Sequence, residues 1–446
     1  MLEELINKMV TRYVVTSAQK GVGYNKNLLN NIDKYCKDHD AELIILPMAG
    51  KSITEEEIHR DLQIRTVVEQ DYNINKNIKI KNHHITPQQI NPLTGIERFA
   101  QGDKSFIFAG TKQVLKYVAN SYDTIPKAIM TTGAITKPNY RDNRIGRIAK
   151  EDHEMGFVVV EKQSNSYFHF RQVKALKNGN FTDILGTYRN GKKYKDLNAN
   201  SLIIGDLHPY DTNPIHEKNT FEQIKHLGKH VDLYLHDTFN GRSISHHYKN
   251  DFIRQHEVFK EQGLNLEKEL EHTLKAINKY AESTWGKTYI VASNHDEHLH
   301  RYLKEGRFVG DKGNSHLGAI LYAADLEGYN PLEFGLRYVG ALNPRVEFIE
   351  RDEGHKVLGY ELGNHGDLGA NGGRGSPRSI EHDNAKSITG HRHSAMKIRN
   401  TYGVGTSTHL RLDYNRGFSN WTNTNGVLYN NGTVQLLNSI KRKWKL

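Results

Sequence analysis

Cysteine is all but missing: Cys36 is the only one among 446 residues. No intramolecular disulfide and no thiolate metal cluster can form, and a reducing, cytoplasmic setting is expected. Long apolar runs are missing too. None approaches the roughly 20 residues needed to cross a bilayer, and no amphipathic anchor for a membrane surface is visible, so no membrane partner is expected. The amino terminus reads Met1-Leu2-Glu3-Glu4, with acids where a secretion signal needs positive charge. Acids are also outnumbered: 51 Asp and Glu face 61 Lys and Arg, a formal charge of +10. A basic surface of this kind attracts a polyanion, nucleic acid first, although a solvated basic face is the plainer explanation of charge alone. One glycine is missing where it would matter. Gly50-Lys51-Ser52 follows a strand as a phosphate-binding loop would, but Ile45 stands where that loop needs its first glycine, and the backbone could not wrap a phosphate. Ser52 with Glu55 is better read as a capping box.

What is present reads as an α/β chain with two parts. The β-branched run Tyr13 to Val15 leads through Gly21 and Gly23 into a helix with Leu28, Leu29, Ile32, Tyr35 and Cys36 on one face. Strands are expected at Leu43 to Leu46, Phe106 to Phe108, Ala128 to Thr131, Phe157 to Val160 and Tyr167 to Val173, and a helix at Lys112 to Asn120. Residues 1–195 are expected to form an α/β domain of unknown role. The Lys-, Asn- and Gly-rich stretch from Tyr188 to Asn200 reads as a linker, and residues 196–446 as a second domain. There Leu266, Leu270, Leu274, Ile277 and Ala281 make a helical stripe. Asn430-Asn431-Gly432 reads as a turn between strands Val427 to Tyr429 and Val434 to Leu436. The tail Lys441-Arg442-Lys443-Trp444-Lys445 reads as a frayed, solvated end or a phosphate tracker.

In the second half, apolar runs end repeatedly in histidine and acid. Leu202-Ile203-Ile204 precedes Asp206 and His208, Leu233-Tyr234-Leu235 precedes Asp237, and Tyr289-Ile290-Val291-Ala292 precedes Asn294, His295 and Asp296. Val357 to Leu362 precedes His365, and Ser387-Ile388-Thr389 precedes His391 and His393. Buried strands that deliver ligands at their carboxyl ends can gather residues far apart in sequence, because open α/β sheets place their sites on that edge. Imidazole, carboxylate and amide oxygen without thiolate suit Mn²⁺, Fe or Zn²⁺ better than Ca²⁺ or Mg²⁺. Two cations about 3.5–4 Å apart need a bridging carboxylate, and Asp237 is the expected bridge.

The ordered blocks resemble the calcineurin-like metallophosphoesterases, which include purple acid phosphatases, Ser/Thr phosphatases and SbcD-type nucleases. The family pattern is Asp-x-His, Gly-Asp, Gly-Asn-His-Asp/Glu, a lone His, then Gly-His-x-His, and all five blocks are represented here in order between about residues 201 and 395. The resemblance implies a β-sandwich flanked by helices (αββα) and a two-metal hydrolase. Asp206, His208, Asp237 and His393 would hold one metal, and Asp237, Asn294, His365 and His391 the other, most naturally Mn²⁺, with Zn²⁺ or Fe as alternatives. His295 would protonate the leaving oxygen of an in-line displacement at phosphorus, and Asp296 would support its loop.

Two family glycines are replaced, by His236 and Ser293, and the stretch between Asp237 and Asn294 is longer than usual, which would shape substrate access. His355 or His382 could stand in for His365. Arg242, His247 or its neighbour His246, and Arg374 in the Gly369 to Pro377 loop are candidate phosphate contacts, against the plainer readings of surface side chains and a flexible connection. His298 and His300 are left outside the metal set. The basic charge favours a DNA nuclease, similar to the DNA-degrading metallophosphoesterases of T5-like phages, and the nuclease branch leaves room for a homodimer. The alternatives are a phosphomonoesterase or small-diester enzyme, against which the missing Asp-Arg-Gly extension after Asp237 counts, and a non-catalytic DNA-binding or assembly protein with structural metals.

Overall fold

A computed structural model describes residues 11–50, 57–101, 104–121, 125–248, 250–384, 386–412 and 415–446; Lys51, Ser52 and Glu55 lie outside them. The architecture is mixed α/β, in two compact units. The first comprises residues 1–199, 394–403 and 410–446, the second residues 200–393 and 404–409. The last strands thus count with the first unit, although the sequence groups them with the second half.

In the first unit β1 (Arg12–Gln19) pairs in parallel with β2 (Ala41–Met48), joined by helix α1 (Lys26–His39). Asn25 caps α1 by accepting from the Leu28 amide, and Asp40 ends it in a left-handed turn at φ 49°. The buried face of Leu28, Leu29, Ile32 and Tyr35 packs on Val14, Ile45, Phe157 and Val159 of the sheet. β3 (Gly156–Lys162) pairs antiparallel with β1, and β4 (Phe168–Lys174) pairs antiparallel with β3 at the edge of the sheet. A second sheet contains Ser105–Phe108, Val114–Val118 and Lys127–Thr131. The helix expected at Lys112 to Asn120 is a strand. Leu115 and Tyr117 are buried while Lys116 between them is exposed, so its period is two.

The stretch 188–200 carries a strand, Lys192–Tyr194, paired with Gly186–Arg189, and the two units divide at its end, between residues 199 and 200. The tail is not frayed. Trp444 is buried, and the Leu446 amide donates to Glu161 Oε2 at 2.9 Å. The expected turn at Asn430-Asn431-Gly432 joins Thr424–Tyr429 to Val434–Asn438.

Burial pushes the His153 and His169 imidazoles of this unit down to about 4. Unfolded histidines titrate near 6.5. Between those values the unfolded chain takes up protons that the folded one refuses, so stability falls as pH drops from about 6.5 to 4, by up to ~1.4 kcal/mol per pH unit per group. Thermal melts across that window should show the decline, and His153→Gln should flatten it.

The second unit is built on four parallel strands in the order β8 (Val346–Ile349), β7 (Thr288–Val291), β6 (Asp232–His236), β5 (Ala199–Ile203). β6 and β7 are buried along almost their whole length, as the apolar runs predict for strands covered on both faces. Helix α2 (Pro214–Leu227) links β5 to β6. Its first turn is set by Pro214 and by Asn213, which accepts from the Ile215 and His216 amides. Between β6 and β7 lie α3 (Phe252–Gln262) and α4 (Leu266–Glu282), the latter with Leu266, Leu270, Ile277 and Ala281 buried on the expected stripe. β9 (Lys386–Thr389) runs parallel to Tyr360–Glu361, in a different sheet from β5–β8. The strand expected from Val357 to Leu362 is instead a tight hairpin, Lys356–Val357 against Tyr360–Glu361, turned by Leu358 at φ 50° and Gly359 at φ 81°. No described helix is long and apolar enough to cross a membrane.

Candidate metal centre

The carboxyl ends of β5, β6, β7, β9 and the Tyr360–Glu361 strand converge. Asp206 and His208 follow β5, Asp237 follows β6, Asn294 and His295 follow β7, His365 follows the short strand, and His391 and His393 follow β9. Backbone bonds lock the loops together: the Leu207 amide donates to His236 O and the His208 amide to Asp237 O, both at 2.9 Å. On the other side the Asp206 amide donates to Gly405 O at 3.1 Å and the Ser407 amide to Asp206 O at 2.8 Å. Nothing in the sequence advertises Gly405 to Ser407 as part of the site.

Two groups of side chains share one oxygen. His208 Nε2 lies 3.2 Å from Asp237 Oδ2 and 3.2 Å from His393 Nε2, which in turn lies 3.0 Å from Asp206 Oδ2. On the other side His365 Nε2 lies 3.4 Å from the same Asp237 Oδ2 and 3.1 Å from Asn294 Oδ1, and His391 Nδ1 is also 3.1 Å from Asn294 Oδ1. Asp206, His208, Asp237 and His393, all buried, each bring one ligand atom within 4.8 Å of the others.

These residues fit metal ions on their own chemistry. Asp206 Oδ1 and Asp237 Oδ1 are buried acceptors that receive no hydrogen bond from the described residues, and unsatisfied buried carboxylates are costly unless a cation meets them. Burial pushes the Asp237 carboxyl up, but His365, His295 and His208 outweigh it and hold it well below the usual range. Burial likewise works against a charged His365, yet Asp237 lifts that imidazole above its ordinary value. The charges are thus balanced by histidines whose lone pairs a metal could take instead of protons. The donors form a His/Asp cluster able to hold two divalent cations, with oxygen and nitrogen ligands only.

Backbone strain marks the same residues. His208, Asp237, His391 and His393 have φ of 40°, 48°, 68° and 55°, left-handed values that non-glycine residues rarely adopt and that cluster at functional sites. Gly390 solves a different problem, because a Cβ there would meet Asp206 Oδ1 at 2.2 Å and His236 Cγ at 3.0 Å. Gly390→Ala is expected to weaken metal binding by roughly 10–100-fold and to lower stability by about 1–3 kcal/mol. Calorimetric metal titration and thermal melts check both.

His295 stacks edge-on against His208, ring centroids 4.6 Å apart, and its Nδ1 faces Asn240 O at 3.2 Å. That carbonyl can only accept, so Nδ1 carries the proton and Nε2 is left for other chemistry. Burial pushes this imidazole down, against the pull of Asp237. Asp296 accepts from the Ser293 amide at 2.7 Å and closes the loop carrying Asn294. His236 is itself buried, its Nδ1 3.3 Å from His365 Nδ1.

Other sequence candidates lie outside this cluster. His355 Nε2 meets the Tyr234 hydroxyl at 2.9 Å, and His382 is exposed beside Asp383, so His365 is the one at the cluster. Arg242 is buried, paired with Glu261 at 2.9 Å and set over the Tyr210 ring, rather than free for a phosphate. Its amide and that of Ser243 donate to Glu269 of α4, at 2.7 and 2.8 Å, so the long insertion holds the loop after Asp237. His247 and Arg374 are exposed. A cavity of about 670 Å³ beside His365 is lined by Asp352, Glu353, Asp367 and Asp383. Arg351 on its wall is spent on a two-pronged pair with Asp367, at 2.8 and 2.6 Å.

The chain is 26% identical to Protein A1 of Escherichia phage T5 over 470 aligned positions, which take in 96% of this chain and 82% of that protein. No protein-family model matches the chain. No solved structure matches it either.

Proposed function

We propose that the chain is a calcineurin-like, two-metal phosphodiesterase that cleaves DNA, its second unit an αββα-type catalytic domain and its first unit an accessory. The observation that carries this reading is the position of Asp237 Oδ2, within 3.2 Å of His208 Nε2 and 3.4 Å of His365 Nε2. One carboxylate oxygen shared by two imidazole groups is what a pair of close cations requires. Asp206, His208, Asp237 and His393 would hold one ion, and Asp237, Asn294, His365 and His391 the other. Bound there, the cations supply Lewis acidity to the phosphoryl oxygens and acidify water. The chain's own residues do the rest. Asp237 keeps the two groups in register, Asn294 offers its amide oxygen between His365 and His391, and His295, its Nδ1–H fixed on Asn240 O, takes up a second proton at Nε2 from solvent, a charge Asp237 favours, and passes it to the departing oxygen.

DNA as substrate is supported by the +10 charge, while the acidic cavity beside His365 repels a phosphate backbone from that side. The likeness to a phage protein along nearly the whole chain supports a phage-encoded origin. Purified protein is expected to degrade DNA with Mn²⁺ and to stop when chelator is added. DNA binding should weaken steeply with salt, with log K falling linearly against log salt. Hydrolysis of bis-para-nitrophenyl phosphate with no DNA cleavage would replace this reading with a small-diester enzyme. Salt-sensitive DNA binding without hydrolysis under any metal would replace it with an assembly protein.

A further inference from the structure

A second histidine cluster stands beside His295. His246, His247 and His298 each bring a ring nitrogen within 4.8 Å of the other two. Their ring centroids are 3.9 Å (His246 to His247), 5.3 Å (His246 to His298) and 5.5 Å (His247 to His298) apart, and His298 is 5.3 Å from His295. The sequence places these residues outside the metal set, because a lone histidine is more often packing than ligand. Three together with a vacant buried nitrogen are a different case. His246 Nδ1 is buried and has no hydrogen-bond partner among the described residues, which is unfavourable unless something fills it.

The arrangement is built rather than casual. His246 and His247 sit on a single 3-10 turn, His246–Tyr248, and His298 projects from helix α5 (Glu297–Lys304). Gly241, at φ 66°, makes room: a Cβ there would strike His298 Cβ at 2.8 Å. Burial disfavours the charged form of both His298 and His246. Arg301 and Arg307 lie nearby, both against Glu305 at 2.6 and 3.1 Å, which offsets part of their charge.

We propose that His246, His247 and His298 form a third cation site, separate from the Asp237 centre and selective for a borderline-soft divalent ion of the Zn²⁺ class. An all-imidazole site without carboxylate ranks Mn²⁺ low and Zn²⁺, Co²⁺ or Ni²⁺ high. Zn–N bonds of about 2.0–2.1 Å would draw together ring nitrogens that now lie within 4.8 Å of one another. Three protein ligands leave a fourth position open, on the solvent side where His247 lies. If the two-metal reading holds, an ion here is positioned on the His295 side, where its open position can take a phosphate oxygen of the substrate.

The test uses the full chain, stripped with chelator, saturated with Zn²⁺, desalted and analysed for bound zinc by mass spectrometry. Native protein is expected to hold three ions, and the double variant His246→Ala/His247→Ala two. Asp237→Asn should still hold the ion that the double variant loses. His247→Ala alone alters an exposed side chain and should weaken that one ion at least tenfold, which covers the case of a misfolded double variant. An unchanged zinc count in the double variant, or unchanged affinity in His247→Ala, overturns the third site. Unchanged zinc in Asp237→Asn overturns the paired centre instead, so the two failures are distinguishable.

Discussion

Asp237→Asn is expected to lower DNA cleavage by at least ~10³-fold, a loss of about 4 kcal/mol of transition-state stabilisation, while the fold survives. Asparagine keeps the shape and one oxygen but removes the charge that lets two cations approach each other. The buried neighbours His208 and His365, at 3.2 and 3.4 Å from Oδ2, would then face an uncharged amide. The paired ions should therefore bind more weakly as well as act more slowly. Cleavage rates at saturating Mn²⁺, alongside the Mn²⁺ bound per chain, separate these effects. Near-native activity in this variant would mean that Asp237 is only a packed acid.

His295→Gln is expected to slow DNA cleavage by roughly 10²–10⁴-fold, the usual worth of a positioned proton donor, with metal content unchanged. The argument lies in the leaving group. The alkoxide released from DNA needs a proton, whereas para-nitrophenolate is stable without one. The same variant should thus lose less than about tenfold on bis-para-nitrophenyl phosphate if proton donation at Nε2 is its role. Equal losses on both substrates would make His295 a positioning residue, fixed by Asn240 O at 3.2 Å and the His208 ring.

Most of the site was legible because its signal is local. Apolar β-branched runs ending in Asp206, Asp237 and Asn294 carry both the strand and its ligand in one stretch of text. β9 was legible, where Ser387 to Thr389 are buried, but Val357 to Leu362 was not, where a left-handed Leu358 turns what reads as one strand into a hairpin. The helix expected at Lys112 to Asn120 failed because a short apolar alternation fits either period, and tertiary pairing decided it. Gly405 and Ser407 were invisible because they meet Asp206 through backbone groups, which any residue type provides, and the Thr406 and Ser407 hydroxyls because they donate to the carbonyls of Asp206 and Gly205, which no sequence pattern announces. The strain at His208, Asp237, His391 and His393 was invisible for a related reason: positive φ usually announces itself through glycine, and here the surrounding fold imposes it. Arg242 read as a phosphate contact because nothing in sequence shows that Glu261, on a helix of the insertion, would claim it.

The central claim is that Asp237 joins two ions, and electron paramagnetic resonance of the protein loaded with two equivalents of Mn²⁺ tests it most directly. A shared carboxylate predicts an exchange-coupled, multiline spectrum in the native protein that collapses to isolated six-line Mn²⁺ signals in Asp237→Asn. Isolated six-line signals from the native protein itself would contradict it.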